Sequence, residues 1–180
     1  MEKVATVIVI ILLALAALLW NPYRRLTTKS GSPFYPTEPK IVERLVKLAE
    51  IKPGDIIYDL GSGDGRIVIA AALVGAKAYG VEIDLLRCLY SRLWIKIFGL
   101  SKNAEIIKKS FYDVDLSKAD VVFMFLLPET MEKLEEKLKR ELKKGTKIVS
   151  YAFAFEDWKP VKVDDMARGF FGPVIVYKKS

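Results

Sequence analysis

The residues best placed to do chemistry are Asp59, Gly61, Ser62, Gly63, Asp64, Gly65 and Glu82. The chain has 180 residues and no histidine, which removes Ser-His-Asp and Cys-His catalysis and most zinc sites. Cys88 is the only cysteine, so no intrachain disulfide can form. What remains is a carboxylate, Asp59, set directly before a G-x-G-x-G turn, with a second carboxylate at Glu82. Glycines there let the backbone turn sharply and lie close to a ligand. Between a strand and a helix N-terminus, such a turn forms a cradle for a small molecule.

Three ligands compete for that cradle. A P-loop ends in Gly-Lys-Ser/Thr, but Gly65 is followed by Arg66 and Ile67. A dinucleotide fold has G-x-G-x-x-G, and here Arg66 stands where the third glycine belongs. Asp59 would also repel a pyrophosphate at close range. A ligand carrying positive charge fits better.

The surrounding pattern positions these groups. Ile56, Ile57, Tyr58 and Leu60 form a short buried strand, and the Ala-rich run 67–74 reads as a helix closed by Gly75. A second strand over 78–83 carries Glu82 near its end, and Asp84 caps a helix over 85–98 that Gly99 closes. Strands are expected at 104–108, 121–127 and 147–155, with an amphipathic helix over 129–144 on Met131, Leu134, Leu138 and Leu142. Residues 161–163 and 174–177 supply two last strands without a helix between them, which pair antiparallel. Upstream, Thr37 is the expected N-cap of a helix reaching Glu50. The fold class is therefore α/β: a Rossmann-like, doubly wound seven-stranded sheet, mostly parallel with the last strand antiparallel.

Ahead of this domain (25–180) lies a separate segment, 1–24. Residues 4–20 are apolar except Thr6, about the length that spans a bilayer. Trp20 and Tyr23 suit an aromatic belt, and Arg24, Arg25 and Lys29 follow it. The positive-inside rule places the domain in the cytoplasm behind a single-pass, N-terminal hydrophobic helix. A cleaved signal peptide fits less well, because Lys3 alone would form its basic region and Ala14, Ala16 and Ala17 lie inside the apolar run. The net charge of +7 suits anionic partners without choosing among them.

Asp59-Leu60-Gly61-Ser62-Gly63-Asp64-Gly65 resembles the first motif of the class I, seven-strand methyltransferases. The resemblance implies S-adenosyl-L-methionine as cofactor, with Asp59, Gly61, Ser62, Gly63 and Asp64 around its methionine half. It also implies that Glu82 takes the ribose hydroxyls, Ile83 lies against the adenine, and Ser110 and Phe111 line the adenine edge. Pro33-Phe34-Tyr35-Pro36-Thr37 is similar to the entry motif of the protein-lysine methyltransferases acting on the ATP synthase c-subunit and the adenine nucleotide translocase. Segments 109–115 and 125–128 look like internal motifs of that group and its archaeal relatives.

The implied activity is N-methylation of a lysine in a membrane or membrane-proximal protein. With no histidine as base, the amine would lose its proton to water before transfer. Tyr35, Leu127 and Pro128 are the candidate catalytic residues, as walls of the lysine channel together with Phe34. No metal is implied, and nucleic acid is not the expected partner. Two alternatives stay open: the same fold acting on a lipid headgroup, small molecule or RNA, and a non-catalytic membrane scaffold. The target, the number of methyl groups and the oligomeric state are not encoded legibly.

Overall fold

A computed structural model describes residues 34–165 and 171–180. The hydrophobic segment over 4–20, and with it the expected anchor, lies outside the described residues. Among the described residues no helix is long and apolar enough to cross a membrane.

The elements run α1 (Pro39–Ala49), β1 (Ile56–Leu60), α2 (Arg66–Leu73), β2 (Lys77–Glu82), α3 (Leu85–Ile97), β3 (Ala104–Lys108), β4 (Val121–Met124), α4 (Pro128–Glu141), β5 (Lys147–Tyr151), β6 (Lys162–Asp164) and β7 (Val174–Lys178). The strands form one seven-stranded sheet in the order β3-β2-β1-β4-β5-β7-β6. β1 to β5 pair in parallel, and β7 inserts antiparallel between β5 and β6. The expected sheet, including its antiparallel last strand, is what the chain builds.

Side chains alternate across the sheet, so each strand feeds two cores. Ile57, Val121, Phe123 and Val149 face α1, α2 and α3, whereas Tyr58, Leu60, Val122, Met124 and Ile148 face α4. Parallel strands end at one edge, and that edge carries Asp59, Glu82 and the segment after Met124. β1 has β2 on one side and β4 on the other, so the crossovers leave in opposite directions beside Asp59. An open α/β sheet binds its ligand at this switch point.

Several boundaries differ from expectation for local reasons. Glu38, not Thr37, is the N-cap of α1, and Thr37 is buried instead. β5 stops at Tyr151, because Ala152 adopts a left-handed φ of 73° and Phe153 N–H turns back onto the Tyr151 carbonyl at 3.0 Å. β4 stops at Met124, and Leu127 becomes the N-cap of α4 with Pro128 in its first turn.

Candidate active site

The turn after β1 is held at three points. Gly61 and Ser62 donate their N–H groups to the Val81 carbonyl at 2.9 and 3.0 Å, which stitches the turn to the end of β2. Gly63 N–H donates to Oε2 of Glu82 at 3.0 Å. From the other side, the Ser91 hydroxyl of α3 donates to the Gly63 carbonyl at 3.0 Å. Gly65 permits that approach: at φ 80°, a Cβ there would lie 2.9 Å from Cβ of Ser91. Gly63, at φ 55°, likewise makes room, because its Cβ would meet the Phe34 ring at 2.4 Å.

Glu82 is 5% exposed and its carboxylate is fixed from several directions. Oε1 accepts the N–H groups of Ile83 and Asp84 at 2.9 Å each, and the Arg87 guanidinium stands 3.5 Å away. Oε2 has the Gly63 donor and keeps a further lone pair toward the cleft. Asp59 is 4% exposed, and its pKa is pushed up to about 8 by burial first, then by the Asp64 and Glu82 carboxylates. A buried carboxyl between two acids stabilises a cation brought to it.

Asp64 does not add free negative charge. Its carboxylate pairs with Arg66, whose Nε lies 2.8 Å from Oδ1, and the same guanidinium donates to the Thr37 carbonyl. Arg66 therefore latches the entry segment to the glycine turn. Phe34 caps the assembly from above, with the Arg87 guanidinium carbon 4.8 Å from its ring centroid.

These groups surround an open cleft whose enclosed part is about 60 Å³. Asp59, Gly61, Ser62, Gly63, Asp64, Glu82, Ile83, Ser110, Phe111 and Tyr35 all border it. Two of them have a second job: the Ser110 hydroxyl accepts Tyr112 N–H at 3.3 Å, and Phe111 is buried in the α4-side core. The Ser62 hydroxyl is buried without a hydrogen-bond partner and packs on Gly80, where any Cβ would lie 2.6 Å from it.

Leu127 and Pro128 do not border the cleft. Phe125 and Leu126 stand there instead, since the chain after Met124 needs two residues to leave the sheet before α4 begins. Behind Phe125 lies an aromatic group: Tyr151 at 4.7 Å and Phe171 at 5.4 Å between centroids. Tyr35 meets Phe171 edge-on at 4.5 Å.

Sequence reasoning missed Arg87, Ser91 and Gly80, and it marked Phe125 only as part of the 125–128 segment, with the wall of the channel placed at Leu127 and Pro128. Only Arg87 left a signal. A cation in the first turn of α3 opposes the helix dipole, which asks for a nearby anion, and Glu82 is that anion.

With this geometry in place, comparison with known proteins is decisive. Residues 59–162 match the ANTKMT methyltransferase domain. The chain belongs to this methyltransferase family. A protein-lysine N-methyltransferase of Saccharolobus islandicus is 44% identical over 74% of this chain and 86% of its own length. The human lysine N-methyltransferase of the ATP synthase c-subunit is 37% identical over 71% of this chain, which spans about half, 54%, of that protein. A solved RNA methyltransferase of Salinibacter ruber, bound to S-adenosyl-L-homocysteine, superposes with a TM-score of 0.75 at 35% identity, covering 79% of this chain and 92% of its own. The methyltransferase uses S-adenosyl-L-methionine, and the cleft fits it: a buried acid suited to a cation, a glycine cradle, and a carboxylate with a lone pair open to hydroxyl donors.

Proposed function

We propose that this methyltransferase is a membrane-anchored protein-lysine N-methyltransferase whose domain lies on the cytoplasmic side. The observation that carries the reading is the composition of the cleft mouth. Phe34, Tyr35 and Phe125 stand there beside the Asp59 and Glu82 pocket, with no histidine in the chain. The names of the Saccharolobus and human relatives support the substrate class. The apolar run over 4–20 followed by Arg24, Arg25 and Lys29 supports the anchor and its orientation.

Bound S-adenosyl-L-methionine supplies an electrophilic methyl carbon on a sulfonium. The chain's own residues then have four tasks. Glu82, Ile83, Ser110 and Phe111 hold the nucleoside half. Asp59, Gly61, Ser62 and Gly63 hold the methionine half, and Asp59 becomes a carboxylate as a cation arrives. Phe34, Tyr35, Phe125 and Leu126 strip water from the incoming lysine, which lowers its pKa and favours the neutral amine. The lysine proton leaves to water, and positioning in a dry channel supplies the rest.

A second reading, RNA as substrate, is favoured by one observation: the Salinibacter ruber protein at 35% identity is described as an RNA methyltransferase. The full chain, incubated with tritiated cofactor and a membrane extract, separates the two when protein, lipid and RNA are fractionated. Acid-stable label on protein lysine supports the first reading. Label in RNA or in lipid overturns it.

A further inference from the structure

We propose that the outward face of α3 docks onto an anionic lipid bilayer. A helix that covers a sheet needs one apolar face, and α3 has two. Its inner face, Cys88, Ser91 and Ile95, is buried against β2 and β3. On the opposite side, Leu85, Leu86, Leu89, Leu93 and Ile97 are each between 49% and 59% exposed. At 3.6 residues per turn these five fall within roughly 120° of arc, so they form one stripe along the helix. Contiguous exposed apolar stripes of this kind mark a surface that something covers.

Charge names the occupant. No acidic residue occurs from 85 to 104, whereas Arg87, Arg92, Lys96 and Lys102 do, and of these Arg87 is spent on Glu82. Arg92 and Lys96 follow one margin of the stripe. Arg92 is tied to β3, where one guanidinium nitrogen donates to the Ile106 carbonyl at 2.7 Å and leaves its remaining N–H groups for an anion. Lys96 can lay its stem on apolar surface and raise its charge to lipid phosphates. An apolar face with cations along one margin, the aromatic rings of Tyr90 and Trp94 along the other and no acid on the helix is the pattern of a helix lying in an anionic interface.

The chain's entry point agrees. Phe34, the first described residue, stacks over Arg87 in the first turn of α3, so residues 1–33 join the domain at that end. They carry the apolar run over 4–20 and the Arg24-Arg25 pair. A linker of the length between Trp20 and Phe34 reaches at most about 3.5 Å per residue. α3 therefore provides a contact separate from the anchor, one that fixes which side of the domain faces lipid. The cofactor cleft opens beside the same helix end, at Glu82 and Ile83.

The test uses the full chain. Cys88 is the sole cysteine and is buried, so a Leu93→Cys or Leu89→Cys variant takes a nitroxide label at one accessible site. A Lys133→Cys variant on the exposed side of α4 serves as reference. Labelled protein is mixed with phosphatidylglycerol or phosphatidylcholine vesicles, and accessibility to oxygen and to a nickel chelate is read by power saturation. On phosphatidylglycerol the labels at 89 and 93 should lose nickel accessibility several-fold and gain oxygen accessibility, with the label at 133 unchanged. A chain that binds vesicles while the α3 labels stay open to nickel overturns docking and leaves the anchor standing. Labels shielded from both reagents before vesicles are added place another protein segment or a second copy on this face, which also overturns it. An equal response on phosphatidylcholine overturns the assignment to anionic lipid.

Discussion

The Gly63 N–H donates to Oε2 of Glu82 at 3.0 Å, and this one bond ties the turn after β1 to the acid that ends β2. The two cofactor-facing groups are therefore a single preorganised unit, braced from α3 by Ser91. A ligand that reaches Glu82 finds the glycine cradle already set, and disturbing either half disturbs the other.

Replacing Glu82 should accordingly remove more than one contact. Hydrogen bonds to a charged acceptor are worth about 1.5–3 kcal/mol each. The Glu82→Ala variant should weaken S-adenosyl-L-methionine binding by about 100-fold or more, measured by titration calorimetry. Glu82→Gln should fall between it and the wild type. Unaltered affinity in the Ala variant would remove Glu82 from the ribose role.

Asp59 should link cofactor affinity to pH. Its folded pKa of about 8 stands above the ordinary 3.8, so stability from this group is full below pH about 4 and is lost as pH rises through about 8. The Asp59→Asn variant lacks that loss, and without ligand it should melt about 2–6 °C above the wild type near pH 8. The same variant should bind cofactor more weakly. In the wild type, binding a cation displaces the Asp59 proton, so affinity should rise between pH 6 and 8. Calorimetry at pH 7 in buffers of different ionisation enthalpy should show proton release, and the Asn variant should not.

Gly63 and Phe34 should be coupled. Gly63→Ala places a methyl group against the Phe34 ring on a left-handed backbone, at a cost of about 1–3 kcal/mol. Phe34→Ala in the same chain should recover the steric part and leave only the backbone strain. Denaturant unfolding of the four chains of this cycle reads the coupling directly. Independent effects would mean that Phe34 does not rest on the turn.

Tyr35 should act on turnover and spare the cofactor. It is 47% exposed, touches Phe171 edge-on, and makes no hydrogen bond to Glu82 or the glycine turn. Tyr35→Ala should lower kcat about 10-fold or more with cofactor Kd unchanged, through loss of channel positioning. Tyr35→Phe distinguishes a wall from a hydroxyl donor: retained activity assigns the ring, lost activity the hydroxyl.

Arg66 should control the entry segment. Its guanidinium joins Asp64 to the Thr37 carbonyl, so Arg66→Ala frees both. Amide exchange at residues 37–42 should speed up, and limited proteolysis near Tyr35 should become faster. An unchanged exchange pattern would show that the segment is held by packing alone.

Short apolar runs, Ala-rich stretches, glycine positions and caps are local properties, and they were legible in the residues alone. β3 and the Asp84 cap of α3 fall where the pattern placed them, and Asp59 and Glu82 sit at the ends of adjacent parallel strands. Where the chain bends by tertiary demand, local reading slipped. Thr37 carries a good capping side chain, but its carbonyl is taken by Arg66 and the helix begins one residue later. Leu127 and Pro128 read as the end of β4, yet α4 claims them, and Phe125 and Leu126 wall the cleft.

Short apolar runs alternating with helical stretches, and the chemistry of an acid before glycines, were enough to specify the sheet, its two carboxylates and the cationic character of the ligand, because neither needs a distant partner. How those acids are used came from tertiary contacts. Burial beside Asp64 and Glu82 raises the pKa of Asp59. Ser91 and Arg87 brace the turn from a helix far along the chain, and α3 presents a second apolar face. Each depends on contacts between segments remote in sequence, and no local pattern encodes the distance at which they meet.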